Sequence, residues 1–185
     1  MAQQQLKRIA VRARPGRSSQ GWLLADGQAI PVALCRGGVR ANKREGDGGT
    51  PRGLFHPVRL WWRADRLSRP KTGLPVRAIR PDDGWCEDPH DRHYNRPVHV
   101  PARSGADRLT RSDALYDLII ELDHNTRPRI AGRGSAVFVH IARPAFGPTA
   151  GCVALTRPAL QRLLARIGPR TAIEIGIGHR PVTKR

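Results

Sequence analysis

Hydrophobic and polar positions alternate in short runs along most of the chain, and one stretch carries a helical period. Residues 6–14, LKRIAVRAR, set Leu6, Arg8 and Ala10 against Lys7, Ile9 and Val11, a strand without a cleanly apolar face. GWLLADG (21–27) and QAIPVALCR (28–36) read as two strands joined at Asp26-Gly27, a pair that favours a tight hairpin turn. Residues 37–53 are dense in glycine and polar side chains and read as a loop, after which LFHPVRLWWR (54–63) resumes as a strand.

Residues 64–114 read as loop, with proline at 70, 75, 81, 89, 97 and 101, and irregular segments of that length in a compact domain often carry function. ALYDLIIELDHN (114–125) is short and contains Ile119 and Ile120, which favours a strand. SAVFVHIAR (135–143) is a buried strand, with Val137, Val139 and Ile141 on one face and Phe138 and His140 on the other. TRPALQRLLARIG (156–168) is the helix: Thr156 can cap it, Pro158 suits its first turn, Leu160, Leu163, Leu164 and Ile167 form one stripe, and Gly168 can end it. TAIEIGI (171–177) is a last strand, and residues 178–185 read as a mobile basic tail.

A length of 185 residues fits one domain, 1–185, with a single core. Lys and Arg total 33 against 15 Asp and Glu, a formal net charge of +18, almost all of it from arginine. That charge attracts polyanions of any kind: nucleic acid, anionic lipid or an anionic envelope polymer. It is scattered rather than blocked, so arginine on solvated faces is the simpler reading, and 5% aromatic residues leave few stacking platforms for bases. The three cysteines, Cys35, Cys86 and Cys152, show no zinc spacing and point to no metal or other cofactor; a Cys35–Cys86 disulfide is one option, three small buried hydrophobes the other. The first 24 residues lack an apolar run ahead of their charges and do not read as a secretory signal, and no stretch approaches a membrane span.

The chemistry concentrates in VFVHIARPAFGPTAGCVAL, residues 137–155. A cysteine nucleophile needs a base in reach, a lowered pKa and donors for an oxyanion. His140 stands near a strand end, the intervening prolines and Gly147 let the chain turn back, and the Gly151 and Cys152 amides can face an oxyanion. Cys152 precedes the helix that starts near Thr156, whose N-terminal field, with Arg143 and Arg157, is expected to favour a thiolate. The competing reading is a core histidine and an inert thiol. Cys86, with His90 and His93 nearby but Glu87 and Asp88 beside it, is the weaker candidate nucleophile.

Thr149-Ala150-Gly151-Cys152-Val153, following a strand histidine, resembles the signature of the L,D-transpeptidase catalytic-domain (YkuD-type) family. Thr50-Pro51-Arg52-Gly53-Leu54-Phe55 resembles the family's second element, and the two occur in the family's order. The resemblance spans about 30–177. It implies a mainly β fold, a β-sandwich or curved sheets with one or a few short helices. It also implies acyl transfer on peptidoglycan stem peptides: attack after the third residue of a stem tetrapeptide, loss of the terminal D-alanine, and transfer to an amine. By position, Cys152 is the nucleophile that forms a thioester, His140 the base and then acid, and Gly151 and Cys152 the oxyanion donors. The orienting group for the histidine is often a backbone carbonyl in this family.

Thr149, Arg143, Tyr94 and Asn95 are expected at the substrate, the last two from a loop, 84–98, that walls or covers the site. Arg133, Arg44 and Arg96 are further candidates for anionic groups of a cell-wall polymer. The family implies the cell envelope as the location, whereas the N-terminal pattern leaves the cytoplasm open. Ala150 stands where the family often has histidine, Ala154 where it often has arginine, and Ile141 where a glycine often follows the histidine. Two alternatives stand beside transfer to an amine. One is hydrolysis at the same site, an L,D-carboxypeptidase outcome; the other is a non-catalytic polyanion-binding protein.

Overall fold

The computed structural model describes residues 4–100 and 106–177; the predicted tail, 178–185, lies outside them. Its strands are β1 (Arg8–Arg14), β2 (Arg17–Ala25), β3 (Gln28–Ala33), β4 (Val39–Arg40), β5 (Thr50–Pro51), β6 (Gly53–Phe55), β7 (Pro57–Trp62), β8 (Val76–Ala78), β9 (Asp83–Cys86), β10 (Pro97–His99), β11 (Ala106–Arg108), β12 (Leu118–Leu122), β13 (Phe138–Ile141), β14 (Val153–Leu155) and β15 (Ala172–Ile175). One α-helix, α1 (Arg157–Leu164), and a 3-10 turn at Pro144–Phe146 complete the regular structure of the described residues. The fold is mainly β, built on a large curled sheet.

Ten strands form that sheet in the order β6-β15-β1-β2-β3-β14-β13-β12-β7-β8. β1, β2 and β3 are antiparallel neighbours, and the turn between the last two holds Asp26 at φ 51° and Gly27 at φ 73°, the backbone a two-residue primed turn requires. β1 does have a core face: Ile9 and Val11 are buried, while Arg8, Ala10 and Arg12 alternate outward. Those alternate positions also meet β15 in parallel register, Ile9 beside Ile173 and Val11 beside Ile175.

The centre of the sheet is covered on both sides. On one side Leu118, Ile120, Val139, Ile141, Val153 and Leu155 pack with Leu160, Leu163 and Leu164 of α1. On the other, Trp61, Ile119, Phe138 and Cys152 pack under Trp85 and Leu109 from a second sheet, ordered β10-β9-β11. Trp85 meets Phe138 edge-on at 5.0 Å and Trp61 at 6.5 Å. This double burial is why β12 and β13 are apolar at nearly every position rather than at alternate ones.

Several expectations change. The stretch 37–53 carries β4 and β5, a two-residue parallel ladder, and 64–114 carries β8 to β11, so neither is loop throughout. Cys35 and Cys86 are separate buried thiols in different parts of the fold, not a disulfide. Thr156 occupies the N-cap position of α1, but its side chain makes no capping bond. The helix ends at Leu164, ahead of Gly168, because Arg166 and Ile167 donate back only three residues and tighten the last turn.

Candidate active site

β13 and β14 run side by side in parallel, with Val139 beside Val153 and His140 beside Ala154. Side chains alternate along each strand, so Phe138 and His140 share a face with Cys152 and Ala154. Cys152, one residue before β14, therefore lies across from Phe138, and the Phe138 amide donates to its Sγ at 3.4 Å. His140 is the next residue along that face.

The connection from β13 to Cys152 is tied down at its end. Thr149 donates its amide to Leu34 O at 3.0 Å and its hydroxyl to Cys152 O at 2.7 Å. A second hydroxyl, that of buried Thr50, lies 3.4 Å from the same carbonyl while accepting the Cys35 amide at 3.0 Å. Gly151 takes φ 152°, a conformation that disfavours any side chain, and its amide leans towards Thr149 Oγ1 at 3.4 Å. The Thr-Pro and Thr-x-Gly-Cys segments are thus two halves of one support beneath the thiol.

His140 Nδ1 sits 2.8 Å from Ile141 O. A carbonyl only accepts, so Nδ1 carries the proton of the neutral ring and Nε2 keeps its lone pair. Burial pushes the His140 pKa down to about 4, with Arg111 and Arg143 adding repulsion, against the opposing pull of the Ile141 carbonyl. Burial also pushes the Cys152 thiol up to about 12; the Phe138 amide works against this, and Glu87 and Asp107 add to it. The resting pair is neutral thiol and neutral imidazole. The expected helix-stabilised thiolate is not what the fold builds. β14 intervenes between Cys152 and α1, and Arg157 is turned to Asp117 at 2.7 Å. The Cys152 Sγ donates to Ala136 O at 3.2 Å.

Above this face opens a cleft of about 410 Å³. Cys152, His140, Thr149 and Arg143 line it, and Gly151 does not. Tyr94 and Asn95 do not line it. The Tyr94 hydroxyl donates to Glu45, and Asn95 is buried with its amide fully engaged by protein groups. Arg44, Arg96 and Arg133 are exposed and outside the lining, and Cys86 is buried at the end of β9.

The sequence reading did not single out Lys43, Glu45, Asp107, Arg111 or Tyr116, which also line the cleft, or give Glu87 a place in it. Lys43 is buried, held by Asp47 Oδ1 at 2.7 Å and Arg44 O at 2.6 Å. Glu45 accepts from Tyr94 and from Ser135 Oγ, the latter at 2.8 Å. Tyr116 donates to Asp107 at 3.0 Å and packs its ring edge-on against His140 at 5.4 Å. Burial, with Asp107 and Glu45 nearby, pushes the Glu87 carboxyl up to about 7. The cleft is therefore lined by charges of both signs, Glu45, Glu87 and Asp107 with Lys43, Arg111 and Arg143. Lys43 and Glu45 stood close before the Thr-Pro element; Asp107 and Tyr116 carried no motif.

Away from the cleft, Asp82, Asp83 and His99 bring donor atoms within 4.8 Å of one another. Asp83 is already satisfied by the Arg77 guanidinium and the Arg80 amide, both at 2.8 Å, which leaves a poor donor set for a cation. Among the described residues no helix is long and apolar enough to cross a membrane.

A family model for the L,D-transpeptidase catalytic domain (YkuD) matches residues 8–175, extending the resemblance from Ile30 back through the first hairpin. Searches of curated proteins and of solved structures return no match.

Proposed function

The chain belongs to the L,D-transpeptidase catalytic-domain family, and on that footing we propose that it transfers an acyl group from a peptidoglycan stem peptide through a thioester on Cys152. The observation that supports this reading is the shared face of β13 and β14, with Cys152 and His140 on one side of the sheet and the His140 Nδ1 proton directed to Ile141 O, which leaves Nε2 as the basic nitrogen of the ring.

In this reading the Cys152 proton passes to His140 Nε2 as Sγ attacks the carbonyl carbon of the scissile bond. The negative oxygen that forms is met by the Cys152 amide, and by the Gly151 amide once it leaves Thr149 Oγ1. Collapse expels the D-alanine amine, which takes the proton from His140, and leaves the thioester. An incoming amine then loses a proton to His140 and displaces Sγ, restoring the thiol. With the thiol high and the imidazole low, proton transfer runs together with attack rather than ahead of it. Thr149 supports the Cys152 backbone, and Arg143, which lines the cleft, meets a substrate carboxylate in this reading.

The test is intact mass after incubation with a carbapenem, an acylating agent for this family. The expected result is one adduct, absent from Cys152→Ala and from His140→Ala at short times. No adduct, or one that survives Cys152→Ala, rejects the assignment. Incubation with a stem tetrapeptide, with and without an added amine, separates transfer from hydrolysis by product. Retention on an anionic resin that falls with salt and ignores Cys152→Ala, with no adduct, would favour the polyanion-binding reading.

A further inference from the structure

Asn95 lies outside the cleft, yet it is the centre of a buried network that ends at the thiol. Its Oδ1 accepts from Trp85 Nε1 at 3.1 Å and from the Ala136 amide at 3.2 Å. Its Nδ2 donates to His124 O at 3.1 Å and Asn125 O at 2.9 Å. Asn95 is 3% exposed, and both lone pairs and both protons of its amide are used. Ala136, which it holds, is a buried non-glycine residue at φ 49°, a backbone conformation that costs free energy unless the surroundings impose it. The Ala136 carbonyl is the acceptor for the Cys152 Sγ–H.

We propose that Asn95 is a positioning residue for the nucleophile, holding Ala136 in its left-handed conformation so that the Ala136 carbonyl binds and parks the Cys152 thiol proton until substrate arrives. The proposal rests on the reading of Cys152 as nucleophile. A thiol bonded through its hydrogen to a carbonyl is stabilised in its protonated form, whereas the Phe138 amide bond to the same sulfur favours the thiolate. The two bonds reach one sulfur from residues on either side of Val137 in the chain, and only the first runs through a residue that Asn95 holds. Release of the Ala136 carbonyl leaves the Phe138 donor in place and lowers the pH at which the thiol ionises. The ionisable groups around Cys152 are His140, Tyr116, Glu87, Asp107, Arg111, Arg143, Lys43, Glu45 and Cys35, and substitution at Asn95 changes none of them. In the working enzyme the thiol must leave Ala136 and turn to His140, so the parking bond also keeps the site quiet without substrate.

The test is the rate of iodoacetamide alkylation at Cys152, read by peptide mapping across pH, with thermal melts to establish folding. It needs no transpeptidase activity, so it fails separately from the functional assignment. Asn95→Ala is expected to move the alkylation limb about one pH unit lower, roughly a tenfold faster reaction at pH 8. Asn95→Asp keeps an acceptor for the Ala136 and Trp85 donors, loses the two donors to carbonyls and adds a carboxyl whose charge itself opposes ionisation of the thiol; its limb is expected not to fall. An equal downward shift in both variants, or none in Asn95→Ala, overturns the proposal. The wild-type protein decides independently of variant folding: its Cys152 S–H stretch, assigned by loss in Cys152→Ala, must lie at the lower frequency of a hydrogen-bonded thiol. A band at the free-thiol position also overturns it.

Discussion

The hydroxyl of Thr50 and the carbonyl oxygen of Cys152 lie 3.4 Å apart although 102 positions separate them in the chain. Thr149 reaches the same oxygen at 2.7 Å, so two threonine hydroxyls converge on the carbonyl of the proposed nucleophile. Thr50 also accepts the Cys35 amide in a fully buried setting. Thr50→Ala strands that amide and is expected to cost about 2 kcal/mol, a fall in Tm of roughly 4–8 °C for a chain of this size. Acylation of Cys152 slows with it, and Thr50→Ser restores both. Thermal melts beside adduct rates check this; an Ala variant as stable and as reactive as wild type removes Thr50 from the support.

The Cys152 thiol is held up to about 12 by burial and by Glu87 and Asp107. The thiolate fraction, and with it the alkylation rate without substrate, is expected to climb about tenfold per pH unit through neutrality, with no plateau below about pH 11. A plateau near pH 7 in stopped alkylation assays would instead indicate a resting thiolate–imidazolium pair.

What the sequence made legible follows from where burial is simple. SAVFVHIAR reads correctly because its two faces meet two different cores, and Asp26-Gly27 reads correctly because the turn it forms is set by two residues alone. β9, β10 and β11 are three or four residues long, and Asp83-Gly84-Trp85-Cys86 is identified as a strand only by pairing with segments before and after it. The same reason hid half of the cleft. His140 and Cys152 sit on neighbouring strands near one motif, whereas Asp107 and Tyr116 come from a separate sheet edge and a turn. Tyr94 and Asn95 were placed in the right loop, but they hold Glu45 and Ala136 behind the cleft wall instead of lining it.

Glu87 is expected to make folding pH-dependent in a direction opposite to most carboxylates. Its folded pKa is raised to about 7 from 4.5. Between those values the folded protein holds a proton that the unfolded chain has released, so stability falls as pH rises from about 4.5 to 7 and then levels. Glu87→Gln removes this loss: its Tm exceeds wild type at pH 8 and matches it near pH 4. Melts at the two pH values decide, and an equal gain at both would mean that the carboxyl's charge is not the cause.

Tyr116 covers the imidazole of His140, with ring centroids 5.4 Å apart at 73°. Burial is the main reason the His140 pKa is lowered to about 4 from 6.5. As pH falls through that interval the unfolded chain takes up the proton first, so stability declines between about 6.5 and 4. Tyr116→Ala opens the cover to water and is expected to raise the His140 pKa towards 6.5, shortening the interval over which acid destabilises the fold. Tyr116→Phe keeps the ring and loses only the 3.0 Å bond to Asp107, so His140 should still titrate near 4. Imidazole proton shifts followed by NMR across pH 3–8 distinguish the two variants. If both titrate with wild type, the low pKa originates in the strands beneath His140 and not in its aromatic cover. If both rise together, the Asp107 bond rather than the ring sets the burial.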